Sequence, residues 1–319
     1  MERSFGIELE IAGITQRIAK LALSAVGVQV QAESYNHSTR AHWKIVSDAS
    51  VRGGFEVVSP ILHGEQGIIE AMKVATALDD AGASINRTCG FHVHFDASDL
   101  DVETIKTIVR RYAEFESEVD AVMPPSRRGD ANNYCHSMAG VVTPSFLRAS
   151  TIRELATVQG SRYYKVNLQS FQRHGTIEFR QHSGTVNANK ISNWVRFLGE
   201  FIDVCKAESG SSALPVIEHP ALRGVQRRLA DMFTAQGSVQ LSEICEAFGW
   251  QPHTARAAVT RLRQAGLEIE SVRGRAMYRL VSGMVQQPSA SRCSSIWHGI
   301  SESVVTFYRN RAAVLAAAM

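Results

Sequence analysis

The sequence predicts an α+β protein, in which a large domain built on an antiparallel or mixed sheet precedes a small, mostly helical domain. In the first two-thirds of the chain, short segments alternate apolar and polar residues with a period of two, as strands with one polar face do. Amphipathic helical patterns lie between these segments, and one pair of strands has the pattern of a hairpin. Such a mixture favours an α+β fold over a strictly alternating βαβ fold.

Each element of the large domain follows from a local signal. Pro60 ends one strand, and Gly82 ends one helix. The stretch 124–145 is rich in Pro, Gly, Arg and Asn, so we interpret it as a long loop whose arginines face solvent. The signals predict helices over 15–26, 65–81, 102–119 and 191–206, and strands over 5–11, 28–34, 43–46, 53–60, 89–96, 163–168 and 176–181.

A change in composition marks the boundary between the two domains. The segment 208–215 consists mainly of small and polar residues, which is typical of a linker. Three short helical patterns and two strand-like segments follow it, in the order of a winged helix-turn-helix. We therefore expect a large domain over 1–207, a linker over 208–219, a winged-helix-like domain over 220–282, and a tail with a final helix over 283–319.

The composition excludes several classes of protein. With 319 residues, 45% hydrophobic and 20% charged, the chain resembles an ordinary globular protein. We find no apolar run of the roughly 18 residues that span a bilayer, and no charged-then-apolar leader at the N-terminus. The five cysteines form no paired motif, so we expect reduced thiols and a cytoplasmic protein. A net charge of +3 does not by itself indicate nucleic-acid binding.

Three of the alternating segments carry residue types that bind metal ions. Alternation puts the polar positions of each segment on one strand face, where a solvated sheet would more often carry Lys, Thr or Ser. We therefore interpret these positions as parts of one polar cleft over the sheet. They are Glu8 and Glu10 in the first segment, His92 and His94 in the second, and Glu178, Arg180 and His182 in the third.

Another strand adds Glu56, so the cleft would hold at least four carboxylates. Two unit charges 4 Å apart repel by about 4 kcal/mol at an effective dielectric of 20, so such a cluster requires cations. Carboxylates suit Mg²⁺ or Mn²⁺, and the addition of His92 favours Mn²⁺ slightly. Arg180 would face the same cleft, where its guanidinium can bind a phosphate. Because the chain has neither a P-loop nor a dinucleotide-binding glycine motif, metals and arginines would have to hold any ATP phosphates.

Four motifs follow one another along the chain: 5–10 (FGIELE), 54–60 (GFEVVSP), 90–94 (GFHVH) and 176–185 (TIEFRQHSGT). Together they resemble the amidoligase family of the carboxylate–amine ligase superfamily, which shares its fold with glutamine synthetase and glutamate–cysteine ligase. The resemblance covers about residues 1–205. It implies a curved antiparallel sheet with helices on one face, and ATP-dependent formation of an amide bond through an acyl phosphate.

The resemblance also implies roles for individual residues. ATP and Mg²⁺ (or Mn²⁺) would be the cofactors, and small-molecule or peptide carboxylates and amines the substrates. Metal binding would fall to Glu8, Glu10, Glu56, His92 and Glu178, catalysis to Arg180 and His94, and nucleotide or substrate binding to Arg162, Lys165, Asn167, Arg180 and His94. A base must also deprotonate the amine, and the candidates are Asp48, Asp96 and Glu33.

The predicted small domain is more basic than the chain as a whole. Between 220 and 282, nine arginines and five acidic residues give a net charge of +4. Three of these arginines (256, 261 and 263) lie on the third predicted helix, and Arg273 and Arg275 lie between the two strands. A helix-turn-helix contacts DNA phosphates at such positions. Winged helices also bind proteins, so contact with either DNA or a protein stays open.

Two other functions remain open at this stage. One is a DNA-binding regulator whose N-terminal domain senses a small molecule, and the other is a metal-dependent hydrolase that uses the same histidines and carboxylates. Amine-dependent release of ADP would favour the ligase. A salt-dependent gel shift would favour the regulator, and amide hydrolysis without ATP would favour the hydrolase.

Overall fold

The computed structural model describes residues 2–210, 224–236, 238–264, 267–272, 276–282 and 295–317. The chain divides into two compact units, the first formed by Met1–Ser211 with Ser294–Met319 and the second by Ser212–Cys293. Arg273 and Arg275 lie outside the described residues, as do most of the predicted linker and the start of the predicted tail.

Strands and helices follow one another irregularly along the chain, so the α+β prediction is confirmed. The strands are β1 (Ser4–Ala12), β2 (Val30–Ala32), β3 (Trp43–Val46), β4 (Gly54–Val58), β5 (Leu62–His63), β6 (Phe91–Asp96), β7 (Val166–Asn167), β8 (Thr176–Phe179), β9 (Ser238–Gln240), β10 (Glu268–Ser271) and β11 (Met277–Ser282). The helices are α1 (Gln16–Ala25), α2 (Gly64–Asp80), α3 (Val102–Glu114), α4 (Glu116–Ala121), α5 (Pro144–Arg148), α6 (Ile152–Gln159), α7 (Gln169–His174), α8 (Ala188–Gly210), α9 (Val225–Gln236), α10 (Leu241–Phe248), α11 (Pro252–Gln264) and α12 (Glu302–Ala317), with a 3₁₀ helix at Pro125–Arg127. Within the described ranges, no helix has the length and apolar character needed to cross a membrane.

The first unit is built on a mixed sheet of eight strands. The strand order is β2-β3-β4-β1-β6-β8-β7, and β5 pairs with the start of β1. Neighbouring strands are antiparallel except for β2 and β3, which are parallel. β1 therefore lies at the centre, between the strand that carries Glu56 and the strand that carries the two predicted histidines.

One face of this sheet is apolar and packs against helices. Alternate residues of β1, from Phe5 to Ile11, are almost completely buried. They share one core with buried side chains of α2, α3 and α8, such as Trp194. Because side chains alternate between the two faces of a strand, the intervening residues Glu8 and Glu10 point to the opposite face.

The helix predicted over 102–119 is interrupted in the structure. α3 ends and α4 begins on either side of Phe115, whose backbone leaves the helical range with φ −108° and ψ 18°. The interruption accompanies the burial of Glu116, whose carboxylate accepts hydrogen bonds from the Met138 backbone N–H at 2.6 Å and from Lys165. The amphipathic pattern does not reveal this break, because the partners of Glu116 are distant in the sequence.

β7 and β8 pair as predicted, but no tight turn joins them. β7 has only two residues, and α7 fills the connection where the sequence indicates a turn. Oδ1 of Asn167 accepts a hydrogen bond from the Gln169 backbone N–H at the start of this helix. Gly175, with φ +67°, ends this helix and is its C-cap.

The described part of the second unit contains three helices and a three-stranded sheet with the order β10-β11-β9. All three predicted helices and both predicted strands are present, and β9 is an additional strand. This unit has its own core, which includes Leu229, Phe233, Ile244, Val259 and Leu262. The elements follow the order expected for a winged helix-turn-helix, and the winged-helix assignment itself stays a prediction.

The C-terminal segment completes the core of the first unit. Ile296, Val304 and Tyr308 are buried in the same core as α8. The Tyr308 ring lies 6.2 Å from the Trp194 ring and 5.4 Å from the Trp297 ring, measured between centroids. The Tyr308 hydroxyl is buried and has no hydrogen-bond partner among the described residues. The predicted final helix therefore packs on the first unit.

We expect Tyr308→Ala to lower the free energy of unfolding by about 3 kcal/mol, because it empties a buried aromatic site. Urea unfolding followed by tryptophan fluorescence measures this change. Tyr308→Phe keeps the ring and removes an unpaired hydroxyl, so it should leave stability unchanged or slightly higher. Val314→Ala, at a position that is 68% exposed on the same helix, should change stability by less than about 0.5 kcal/mol. A Tyr308→Ala effect as small as that of Val314→Ala would contradict this packing.

Candidate metal-binding active site

The polar face of the sheet brings together six of the candidate ligands predicted from the sequence, namely Glu8, Glu10, Glu56, His92, His94 and Glu178. Residues directly opposite one another in antiparallel strands point to the same face. All six side chains therefore project from four adjacent strands, β4, β1, β6 and β8. The register pairs Glu10 with Glu56, Glu8 with His92, and His94 with Glu178.

His92 lies at the centre of this cluster. Its Nδ1 is 3.0 Å from a carboxylate oxygen of Glu8 and 3.7 Å from one of Glu178. Its Nε2 is 3.8 Å from a carboxylate oxygen of Glu10. Nε2 of the neighbouring His94 lies 3.4 Å from Glu8 and 3.9 Å from Glu178. Imidazole nitrogens and carboxylate oxygens thus alternate within one small volume.

The cluster is open to solvent at one end. Glu8 and His94 keep 26% and 16% of their side chains exposed, whereas the other four candidate ligands are buried. Any substrate must therefore approach from the side of Glu8 and His94.

Three overlapping groups within the cluster have the composition of a divalent-cation site. In each group, one donor atom of every residue lies within 4.8 Å of the others. His94 Nε2 is buried without a hydrogen-bond partner among the described residues, so this nitrogen is available to a bound ion or phosphate. Carboxylate oxygens with imidazole nitrogens fit Mg²⁺ or Mn²⁺. The groups are Glu8–Glu56–His92, Glu8–His94–Glu178 and Glu10–Asp48–Glu56.

The carboxylates of the cluster repel one another. Burial raises the pKa of Glu56 well above its ordinary value, and the nearby charges of Glu8 and Glu10 raise it further. Burial opposes the ionisation of Glu8 as well, but the imidazoles of His94 and His92 hold its pKa well below the ordinary value. Divalent cations would relieve this repulsion, which is a second reason why the residues fit a metal site.

Glu178 is held at both of its carboxylate oxygens. Nδ2 of Asn167 donates to Oε2 at 2.5 Å, and Nη1 of Arg180 donates to Oε1. Nε of Arg180 also donates to the Tyr134 carbonyl at 3.3 Å. Although burial opposes it, the charges of Arg180 and His94 keep the pKa of Glu178 below its ordinary value. A guanidinium is thereby fixed at the edge of the cluster, where it can meet an anion.

Gly90 allows three side chains to converge beside β1. Its backbone N–H donates to Oε2 of Glu10 at 2.5 Å. A Cβ at this position would lie 2.7 Å from Nε2 of His92, 3.2 Å from Nη2 of Arg127 and 3.3 Å from Oε2 of Glu10.

The sequence predicts that the arginines of the loop 124–145 face solvent, and for Arg127 that prediction is wrong. Arg127 is 2% exposed and donates to the Cys89 carbonyl at 2.6 Å, so a backbone oxygen distant in the sequence gives this guanidinium a buried partner.

Basic side chains surround the open end of the cluster. The ring of His174 meets that of His94 edge-on, with 6.1 Å between centroids. Burial lowers the pKa of His37, and the charges of Arg173 and Arg162 lower it further. We call His37, Arg162, Arg173 and His174 the basic rim. Arg162, which the sequence suggests as a nucleotide ligand, is exposed and belongs to this rim and not to the buried cluster.

Lys165 lies outside the cluster. Its ammonium is completely buried and donates to the carboxylates of Glu116 and Asp120. The sequence suggests a nucleotide contact for Lys165, whereas the structure encloses the ammonium between these two acids. Both acids lie on α4, 49 and 45 positions before Lys165, so the local sequence contains no signal of this ion-paired group.

His182 is also separate from the cluster. Alternation predicts it on the same face as Glu178, but β8 ends before it and the chain turns. The imidazole packs against the rings of Phe91 and Trp194, with centroid distances of 5.4 and 5.3 Å. Its Nδ1–H donates to the Ser183 carbonyl at 2.6 Å. Burial lowers the pKa of His182 to about 3, so it is a neutral core histidine.

The three candidate bases occupy different places. Asp48 belongs to the third potential metal group, beside the buried carboxylates. Glu33 is paired with Arg40 and His42 away from the cluster. Asp96 accepts a hydrogen bond from a nearby backbone N–H at the end of β6. Asp48 is therefore the candidate with the closest relation to the site.

A sheet whose buried polar face concentrates carboxylates, imidazoles and a guanidinium is typical of enzymes that use divalent cations on anionic substrates. The chain belongs to the family described as "Putative amidoligase enzyme", whose family model matches residues 1–202. The resemblance inferred from the four motifs is thereby confirmed, and the family indicates a ligase that forms amide bonds. Residues 223–280 match a second family, described as a protein of unknown function (DUF3489). No curated protein matches the chain.

We expect Gly90→Ala to weaken Mn²⁺ binding at least tenfold, because the new methyl group would displace His92 or Arg127. Binding of an ion to the folded state raises the melting temperature, so thermal unfolding at increasing Mn²⁺ concentration measures this affinity. Gly6→Ala is the matched control. Gly6 lies on the same sheet face, opposite His94, and its Cβ would meet Ser59 Oγ at an ordinary 3.7 Å. Equal losses in the two variants would contradict the described crowding at Gly90.

We expect Lys165→Met to lower the free energy of unfolding by about 3–5 kcal/mol, because it leaves Glu116 and Asp120 buried without their cation. Urea unfolding measures the change. Lys106→Met, which removes an ion pair with the exposed Glu103, should cost less than about 1 kcal/mol. A Lys165→Met variant with normal stability and weakened nucleotide binding would show instead that this ammonium serves the nucleotide.

Proposed function

We propose that this protein is an ATP-dependent ligase that joins a carboxylate to an amine through an acyl phosphate. The observation that carries the proposal is the row of ligands on the buried polar face, where three potential metal groups lie beside the guanidinium of Arg180. The family match supports an amide-bond ligase. The dependence on ATP and on Mg²⁺ or Mn²⁺ is inferred from the chemistry of these side chains.

The buried carboxylates and His92 would hold the divalent cations. When bound, the cations neutralise charge on the phosphates and help to orient the phosphoryl group that is transferred. Glu8 and Glu56 each belong to two potential metal groups, which suits closely spaced ions. Because the ligands stand on adjacent strands of one sheet, their positions are fixed before any substrate binds. The proposed metal ligands are Glu8, Glu10, Glu56, His92 and Glu178.

Arg180 and His94 would act on the phosphoryl group itself. Two nitrogens of Arg180 are used by Glu178 and by the Tyr134 carbonyl. The remaining N–H groups can donate to phosphoryl oxygens. The positive guanidinium would thereby stabilise the negative charge on these oxygens in the transition state. His94 stands at the open end, where its Nε2, which lies 3.4 Å from a carboxylate oxygen of Glu8, can also contact a phosphate oxygen.

The basic rim would receive the anionic parts of the substrates. Arg162 and Arg173 are both exposed, and neither has a carboxylate partner in the part of the chain that the structure describes. Guanidinium groups bind phosphates and carboxylates through paired hydrogen bonds. Tyr134, whose backbone carbonyl accepts from Arg180, is 49% exposed, and its ring offers a flat surface for the base of the nucleotide.

The proposed reaction has two covalent steps. An oxygen of the acid attacks the terminal phosphorus of ATP, the bond to the bridging oxygen breaks, and ADP leaves an acyl phosphate behind. The amine then attacks the acyl carbon, and phosphate departs with the bonding pair. The ammonium ion loses one proton before this attack, for which we propose Asp48 as the acceptor, and the nitrogen loses a second as the amide forms. Holding the reactants together supplies much of the rate acceleration.

The proposal also includes the type of fold of the first unit and the cellular location of the protein. Antiparallel strands with a polar, ligand-bearing face and an opposite face covered by helices support the glutamine-synthetase-like fold that the resemblance implies. A cytoplasmic location suits an enzyme that consumes ATP. Free thiols also suit a reducing compartment. The structure describes four of the five cysteines, and all four are free thiols.

Glu178→Gln tests the proposal, because it keeps the shape of a metal ligand and removes its charge. With Mg²⁺ and ATP, the wild-type protein should release ADP only when an acid and an amine are both present, which a coupled assay over panels of amino acids and short peptides detects. Glu178→Gln should lower this rate at least 100-fold. Glu65→Gln, which removes a surface carboxylate paired with Arg196, should leave the rate within twofold of wild type.

Two results would overturn the ligase proposal. One is the absence of nucleotide binding by the wild-type protein with Mg²⁺ or Mn²⁺ present, measured by calorimetry. The other is nucleotide binding and ADP release that Glu178→Gln leaves unchanged. Hydrolysis of amide substrates without ATP, abolished by the same substitution, would establish the metal-dependent hydrolase in its place.

A further inference from the structure

Helix α11 of the second unit presents a basic face that contains no acidic residue. Its 13 residues include three arginines and neither Asp nor Glu. One side of the helix is buried in the core of the unit, through Ala255, Ala258, Val259 and Leu262. The opposite side consists of the exposed residues His253, Arg256, Ala257, Thr260, Arg261 and Gln264.

The two exposed arginines flank this face, and small residues lie between them. At 3.6 residues per turn, Arg256 and Arg261 are about 140° apart around the helix axis and about 7.5 Å apart along it, with Ala257 and Thr260 between them. Neither guanidinium has a carboxylate partner among the described residues. Arg263, in contrast, is used within the unit, because its Nε donates to a backbone carbonyl of β10 at 2.7 Å.

The major groove of B-form DNA matches this arrangement. The groove is about 12 Å wide, which accommodates an α-helix, and phosphates line both of its edges. Arginines on both flanks of a helix can each reach one phosphate strand. Small side chains between them allow the backbone of the helix to approach the base edges.

Two other kinds of partner fit this surface less well. Proteins that bind single strands stack the bases on exposed aromatic rings, and protein interfaces centre on exposed apolar or aromatic anchors. Within the described residues of the second unit, Val225 is the one exposed large hydrophobic side chain. The rings of Phe248 and Trp250 stack on each other, 4.6 Å apart, instead of facing solvent as a platform.

We propose that the second unit binds double-stranded DNA through α11, with Arg256 and Arg261 on opposite sugar–phosphate strands. The acidic side chains near this surface do not prevent α11 from contacting DNA phosphates. Glu270 is paired with Arg279, and Glu246 lies near the first residue of α11, so the contact is centred on the later turns of the helix. The proposal does not depend on the ligase chemistry, because the two sites share no residue.

Fluorescence anisotropy with the full-length protein and a labelled duplex of about 30 base pairs tests this proposal, at salt concentrations from about 50 to 200 mM. The double variant Arg256→Gln/Arg261→Gln should raise the Kd at least tenfold. It should also reduce the slope of log K against log salt by about 2, because two phosphate contacts are lost. Arg256→Lys/Arg261→Lys keeps both charges and should remain within a few-fold of wild type.

Arg227→Gln/Arg228→Gln is the matched control, because it removes the same charge from α9 of the same unit and keeps the Glu270–Arg279 pair intact. It should leave the Kd within about twofold, and all variants should keep the wild-type melting temperature. Three results would overturn the proposal: no binding of the duplex at micromolar protein and about 50 mM salt, equal losses in the control and α11 variants, or tighter binding of single-stranded than of double-stranded DNA.

Discussion

Repulsion between carboxylates that share one buried sheet face is the constraint on which the first unit depends. Glu8 and Glu10 stand in the central strand, with Glu56 on one side and Glu178 two strands away on the other. Each pair of charges at about 4 Å is unfavourable by about 4 kcal/mol at an effective dielectric of 20. The strands cannot move apart, because their other face is packed into a continuous apolar core. The imidazoles, the guanidinium of Arg180 and the proposed cations balance this charge.

The polar row of the site could be predicted because strands obey a simple rule. Alternation decides which residues share a face, so Glu8, Glu10 and the histidines are placed together by local sequence alone. When the strands pair, their polar faces stay on one side of the sheet, and the alternation of residues already favours this register. His182 shows the limit of this reasoning, since β8 ends before it and its side chain joins the core.

Features that depend on distant partners could not be predicted. The interruption at Phe115, the enclosure of Lys165 and the burial of Arg127 all involve residues about 20 to 50 positions apart along the chain. Charged residues in a loop or on a helix are usually exposed, so composition pointed to solvent for Arg127. Only the folded chain shows that the Cys89 carbonyl accepts from Arg127 and that Glu116 and Asp120 enclose Lys165.

The return of the C-terminal segment to the first unit has a consequence for the integrity of the molecule. The chain leaves this unit after α8 and returns to it through residues 295–317. Aromatic rings of this segment pack against those of α8. A protease that cut the chain within the second unit would therefore yield two fragments whose ends remain anchored in one shared core. The ligand-bearing sheet lies wholly in the N-terminal fragment, so a cleaved molecule would keep the candidate site assembled while α12 completes the core from a separate piece.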